Sequence, residues 1–175
     1  MRRVELNAEI DAVEPDTVYA ELVRFELYPG LTRHVKSTQV HRTLPHDTGE
    51  SSWELNFRSG LLCWTEQEKF LRSAGRIEFE QVEGDFDEMS GAWQLEPLAG
   101  GGCTVRFRAD FDFGIASMES ILDPIAEQVI KETIARAVVG MFDGARVVGE
   151  SGRTATDLTA TEPTATDLGV GSGSR

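Results

Sequence analysis

Only two cysteines occur in the 175 residues, Cys63 and Cys103, and no CxxC, CxxH or HExxH spacing exists anywhere. That excludes a structural zinc site, and each cysteine reads as a small buried hydrophobe in a reducing compartment. The three histidines, His34, His41 and His46, lack partners at metal-ligand spacing. No metal or cofactor is expected. Long apolar runs are also missing: none approaches the roughly 20 residues that span a bilayer. Met1-Arg2-Arg3-Val4-Glu5 moves straight into alternation without a signal-peptide core, so a cytoplasmic chain without membrane insertion is expected. Positive charge is scarce, with 17 Lys and Arg against 30 Asp and Glu and a formal charge of −13. A field of that sign repels phosphate backbones, which excludes nucleic acid as a partner.

What is present is 40% apolar and 27% charged, the composition of one globular domain. Residues 149–175 consist mainly of Thr, Ala, Gly and Ser, with Thr-Ala-Thr-Asp-Leu at 154 and again at 164. This segment predicts a disordered tail behind a domain at 1–148. The domain keeps 26 acids and 15 bases, so the acidity belongs to the folded part.

Period-two alternation recurs through the first 113 residues: Val4, Leu6, Ala8, Ile10; Trp53, Leu55, Phe57; Leu62, Trp64; Ile77, Phe79; Met89, Trp93, Leu95; and Cys103 to Phe113. These are strands with one wet face, separated by turn signals such as Pro45 to Gly49, Ser59-Gly60 and Leu98 to Gly102. Pro15 to Phe25 predicts one short helix, and Tyr28-Pro29-Gly30-Leu31 starts a second. Asp123-Pro124 has the form of an N-cap followed by a first-turn proline, and apolar residues then recur at helical spacing to about Val148. The expectation is an α+β fold, a curved antiparallel seven-stranded sheet wrapped around a long C-terminal helix. Such a sheet touches the helix along part of its length and leaves an apolar space beneath the rest.

Hairpin register locates the polar lining of that space. A turn at Ser59-Gly60 pairs Phe57 with Leu62, Leu55 with Trp64 and Trp53 with Glu66, so Glu66 points inward and Glu68 follows. The hairpin around Ala74-Gly75 sets Glu68 opposite Gln81, or Glu66 opposite Gln81 if its loop is two residues longer. A three-residue loop at Asp85 to Asp87 aligns Phe79 with Trp93 and Gln81 with Gly91, where the missing side chain makes room. Glu66 and Glu68 in an apolar cavity would have raised pKa values suited to general acid or base work. A single bulge would instead turn both to the wet face. His41 and Gln39 join the lining if the turn after Leu44 holds five residues; a four-residue loop presents Val40 and Arg42. Arg24, Arg33, His34 and Lys36 cluster around the two short helices, a local basic patch for an acidic partner.

With strand, paired helices, six-strand meander and long helix in that order, residues 3–148 resemble the helix-grip fold of the START-like (SRPBCC) superfamily, which includes polyketide cyclases and dehydrases. Tyr28-Pro29 after the first helix and Leu62-Cys63-Trp64-Thr65-Glu66 are similar to the coenzyme Q-binding and RatA-type branch. So are Gly84-Asp85-Phe86, Gly91-Ala92-Trp93-Gln94-Leu95-Glu96-Pro97 and Cys103-Thr104-Val105-Arg106-Phe107. Members include aromatases, cyclases and dehydratases acting on poly-β-ketones, and also carriers of quinones or lipids, without a universal catalytic set. This chain lacks the arginine and tyrosine pair of well-studied aromatic polyketide cyclases at its inward strand positions.

The resemblance implies an aromatase or cyclase, as in antibiotic biosynthesis, folding and dehydrating a poly-β-ketone in its cavity. Glu66 or Glu68 would move the proton, with Trp64, Phe57, Phe79 and Trp93 as flat walls and Gln81 bonding a ketone or enol oxygen. An acyl carrier protein could deliver substrate to Arg24, Arg33 and Lys36. The alternative is a carrier that shields a quinone, lipid or other hydrophobic small molecule without catalysis.

Overall fold

The computed structural model describes residues 1–149; all of the expected tail beyond Gly149 lies outside the described residues. Strand β1 (Arg2–Ile10) is followed by helices α1 (Pro15–Leu22) and α2 (Tyr28–Leu31), with a 3-10 turn at Phe25–Leu27 between them. A meander then runs through β2 (Val35–Arg42), β3 (Thr48–Phe57), β4 (Gly60–Leu71), β5 (Arg76–Gly84), β6 (Glu88–Pro97) and β7 (Cys103–Asp112). Helix α3 (Glu119–Met141) and strand β8 (Ala145–Val148) complete the described part. The strands form one antiparallel sheet in the order β2-β3-β4-β5-β6-β7-β1-β8. The apolar face of each strand and the Ala126, Ile130, Ile134, Ala137 and Val138 face of α3 share one core. Burial of this size, at about 25 cal/mol per Å² of apolar surface, is what holds the helix in the sheet.

The short helices pack on the sheet, α1 against β6 and β7 and α2 against β2 and α3, and are anchored by two buried phenols. Tyr19 donates from its hydroxyl to Arg76 O at 2.9 Å, and Tyr28 donates to Leu22 O at 2.8 Å. His34 meets Glu132 of α3 at 2.6 Å. Both thiols are held above their ordinary pKa by burial, Cys103 up to about 11, so neither is a ready nucleophile. No helix among the described residues is long and apolar enough to cross a membrane.

Three features depart from the expectation. An eighth strand exists because α3 stops at Met141: Phe142 turns extended, at φ −131° and ψ 119°. Asp143-Gly144 then forms a turn, and Ala145–Val148 pairs with Asn7–Ile10. At its other end α3 begins at Glu119, and Asp123 is a buried helical residue rather than the N-cap. The 3-10 turn at Ala116–Met118 has already started the winding. The exposed Pro124 sits early enough in the helix to cost one backbone hydrogen bond without ending it.

The third departure is register. The β3–β4 turn is Arg58-Ser59, so Leu55 pairs with Leu62, Trp53 with Trp64, Ser51 with Glu66 and Gly49 with Glu68. Arg58 adopts φ +56°, the left-handed geometry that a two-residue hairpin turn uses. The slip is two residues, so every side chain keeps its face. Between β4 and β5 the longer-loop register holds, with Glu66 opposite Gln81 and Glu68 opposite Phe79. Between β5 and β6 the pairing is also displaced by two: Phe79 faces Gly91 and Ile77 faces Trp93.

Candidate functional site

Strand β4 alternates without interruption, and that regularity carries Glu66 and Glu68 into the interior, where they are 6% and 2% exposed. A bulge does occur here, but on the neighbouring strand. Glu66 pairs with Gln81 and Thr65 with Glu83, which leaves Val82 as the extra residue, 52% exposed.

Glu66 lines a cavity between the sheet and α3. Strands β3 and β4 contribute Trp53, Leu55 and Trp64; β5 and β6 add Phe79, Met89 and Trp93; Phe107 and Ala109 come from β7. The roof is Ile130, Thr133 and Ile134 of α3, closed at the sides by Phe25 and Phe86. Room for the centres of water-sized molecules amounts to about 60 Å³, and the whole space between the lining atoms, including its open mouth, to about 550 Å³. Trp53 and Trp64 stack in parallel at 5.9 Å and 2°, while Phe79 stacks on Phe107 at 5.8 Å. Two flat aromatic pairs therefore bound the cavity, with a single carboxyl among the apolar walls.

The carboxyls are held by different donors. Trp64 Nε1–H donates to Glu66 Oε2 at 2.8 Å. The Ser51 hydroxyl donates to Glu68 Oε1, and Trp53 Nε1–H donates to Ser51 Oγ at 2.9 Å. Burial raises the Glu66 pKa well above the ordinary carboxylic value, and the neighbouring Glu68 charge raises it further. Burial also raises Glu68, opposed by the Ser51 hydroxyl. A desolvated carboxyl whose pKa is raised holds its proton more firmly than an exposed one, and can donate it to a carbonyl oxygen and take one back from carbon.

Among the residues expected at the site, Glu66, Trp64, Phe79 and Trp93 are brought together around the cavity. Glu68 lies behind Glu66, buried but off the lining. Four others lie elsewhere. The Gln81 amide is spent on the β5–β6 loop, accepting from Phe86 N–H at 3.2 Å and donating to Phe86 O at 2.9 Å. Gly91 makes room for a ring of the protein itself: a Cβ there would lie 2.4 Å from Phe79 Cζ and 2.1 Å from Arg108 O. Phe57 packs on Phe113, ring centroids 6.2 Å apart, outside the cavity lining. His41 is exposed and meets Ser52 Oγ at 2.8 Å. Thr38 pairs with the inward Trp53 and Val40 with the inward Ser51, so His41 between Val40 and Arg42 faces away.

Thr133 is the polar lining residue that strand-based reasoning passes over. Its hydroxyl donates to Val129 O at 2.7 Å, which satisfies the donor, and its side chain lines the cavity. A threonine four residues after Val129 and three after Ile130, on an otherwise apolar helical stripe, is the signal that marks it. Of the basic patch, Arg24 is engaged by Glu21 and Glu26, whereas Arg33 and Lys36 are exposed.

Residues 12–138 match the family model described as polyketide cyclase/dehydrase and lipid transport. A comparison with curated proteins finds no match. Among solved structures, the protein TTHA0849 of Thermus thermophilus superposes with a TM-score of 0.70 at 23% identity, over 80% of this chain and 94% of that one. A START superfamily protein of Mycobacterium smegmatis gives 0.67 at 15% identity, covering 81% and 97%. The Zhui aromatase/cyclase of Streptomyces sp. R1128 gives 0.62 at 16% identity, covering 82% and 90%. At such identities the likeness is one of fold.

Proposed function

Because the chain belongs to the polyketide cyclase/dehydrase and lipid transport family, we propose that it is an aromatase/cyclase whose cavity takes a poly-β-ketone or related hydrophobic substrate, with Glu66 moving the proton. The observation that carries this reading is a buried carboxyl, its pKa raised by desolvation, among apolar and aromatic walls. Ring closure joins an enol carbon to a ketone carbon; the proton lost from carbon and the proton gained by the new hydroxyl balance. Dehydration then expels that hydroxyl as water, with a proton given to oxygen and another taken from the adjacent carbon. One carboxyl that alternates between acid and base serves both steps.

The aromatic pairs would hold the chain folded and exclude water. A cavity of about 60 Å³ for water-sized centres is smaller than the roughly 300–1,000 Å³ of occupied ligand pockets. Substrate must therefore part the walls: α3 makes no sheet pairing, whereas the Phe86 loop is tied to β4 and β7 by Asp85 N–H donating to Cys63 O and Asp87 N–H donating to Asp112 O. An acyl carrier protein would dock on Arg33 and Lys36. Reversing both charges would slow delivery by the carrier and leave turnover of a free small-molecule substrate unchanged.

The test is product analysis by mass spectrometry with a ketosynthase and acyl carrier pair that makes poly-β-ketone chains. The wild-type protein directs the chains to one aromatic product, and Glu66→Gln returns them to the spontaneous mixture while still binding ligand. The second reading, a carrier of a quinone or lipid, draws on the nearly unbroken apolar lining and requires no titrating group. It predicts a copurifying apolar molecule and a Glu66→Gln variant indistinguishable from wild type.

A further inference from the structure

Glu66 and Glu68 lie two apart on the inner face of β4, and their surroundings differ in kind. Glu66 Oε2 takes the Trp64 indole N–H, which leaves Oε1 to carry a proton. Glu68 Oε1 takes the Ser51 hydroxyl, whose own oxygen takes the Trp53 indole N–H. That two-membered relay delivers hydrogen to Glu68 and fits an ionised acceptor. Glu68 Oε2, however, is buried and meets no hydrogen-bond donor. Leaving a buried carboxylate oxygen unpaired is strongly unfavourable. The group beside it is the Glu66 carboxyl, and two carboxyls bond to each other only when one keeps its proton.

We propose that Glu66 and Glu68 hold a single proton between them, Glu66 presenting it to the cavity and Glu68 acting as the positioning residue that keeps it there. This rests on the reading of Glu66 as the acid of the site. Glu68 is off the cavity lining; its part is to supply a fixed negative charge and an acceptor at Oε2. The proton then has two acceptors, Glu68 in the empty cavity and a ketone or hydroxyl oxygen when substrate is bound. After the transfer the pair bears two charges in an apolar space, and repulsion between them drives the return of a proton from substrate carbon to Glu66. On the protein only the Glu66 O–H bond breaks and re-forms, while the substrate gains an O–H bond and loses a C–H bond, and the protein ends each cycle as it began.

Further titratable groups surround the pair, and on the Gly49 side Glu68 borders a hollow lined also by Arg42, Lys69, Arg76, Glu78, Glu80 and Arg108. The Tyr28 phenol, beside Glu66, is pushed far upward by burial and stays protonated. Glu50, on β3, adds a negative charge that raises Glu68. None of these groups donates to Glu68 Oε2. Around the Glu66 cavity itself the lining contributed by α3, β6 and β7 is uncharged.

The two indoles read the two carboxyls separately. In a pH titration of the 15N-labelled whole chain followed by NMR, Trp64 Nε1–H reports Glu66 and Trp53 Nε1–H reports Glu68 through Ser51. A shared proton makes both resonances move through the same two steps. In Glu68→Gln the Trp64 resonance collapses to one step, lower than the upper wild-type step by about one pH unit or more, because the like charge is gone. Should Glu68→Gln not fold, Ser51→Ala serves. Removing the hydroxyl donor moves the Trp64 titration upward, although Ser51 donates to neither Trp64 nor Glu66. A Trp64 titration unmoved by these variants overturns the proposal. Unmoved titration with product formation lost in Glu66→Gln removes the shared proton and leaves Glu66 as the acid. Coupled titration with product formation intact in Glu66→Gln does the reverse.

Discussion

Trp64 Nε1–H donates to Glu66 Oε2 at 2.8 Å, from two residues earlier on the same strand. Side chains at i and i+2 share a face of a strand, and the parallel stack on Trp53 fixes the direction of the Trp64 indole. The one neutral donor on Glu66 therefore stabilises its ionised form and opposes the effect of burial. Trp64→Phe keeps the flat wall and removes the donor. The acidic group governing kcat should then titrate higher by about one pH unit, the size of one hydrogen bond to a carboxylate. A pH–rate profile checks this.

Stability carries the same signature. Glu66 has a folded pKa raised above its unfolded value near 4.5, so the folded state binds more protons in the window between the two. Its contribution is fully present below pH 4.5 and is lost as pH rises toward the folded value. Denaturant unfolding should show Glu66→Gln more stable than wild type at pH 7, with the difference shrinking toward pH 4.

Gly91 is a packing requirement of the protein. Gly91→Ala drives a methyl into Phe79 and into the carbonyl of Arg108, which is backbone and does not yield. A loss of about 3 kcal/mol of unfolding free energy is expected, against less than about 1 kcal/mol for an exposed β-sheet position such as Ser90→Ala.

Gln81 governs the Phe86 wall. Gln81→Ala removes both hydrogen bonds to the Phe86 backbone, costing about 1–3 kcal/mol, and frees the ring that stacks on Phe113 at 5.1 Å. Stopped-flow binding of the neutral dye Nile red should be faster in the variant than in wild type.

The inward placement of Glu66 and Glu68 was legible before any coordinates because it depends on strand parity, and parity survives a slip of two. The identity of cross-strand partners was not, since Arg58 takes a left-handed conformation that its residue type does not advertise. Gln81 and Gly91 sit on the inner face as the alternation implies. Their roles turn on the Phe86 loop and on a ring of the adjacent strand, which local pattern does not encode. His41 is itself the residue left unpaired by the irregularity between Val40 and Arg42, with a second irregularity at Lys36, and bulges leave only weak marks in composition. Phe25, Met89 and Thr133 reach the cavity from separate elements; only the packing of α3 across the sheet brings them together. The end of α3 was readable after the fact in Asp143-Gly144, a turn dipeptide set inside a continuing apolar pattern.

The most direct measurement is the infrared difference spectrum of the side-chain carboxyls at pH 7, with 13C-glutamate to identify the band. A protonated carboxylic acid stretch in the wild-type protein that disappears in Glu66→Gln is the predicted result. A wild-type spectrum in which every glutamate is ionised would contradict an acid poised in the cavity and, with it, the chemistry assigned to this fold.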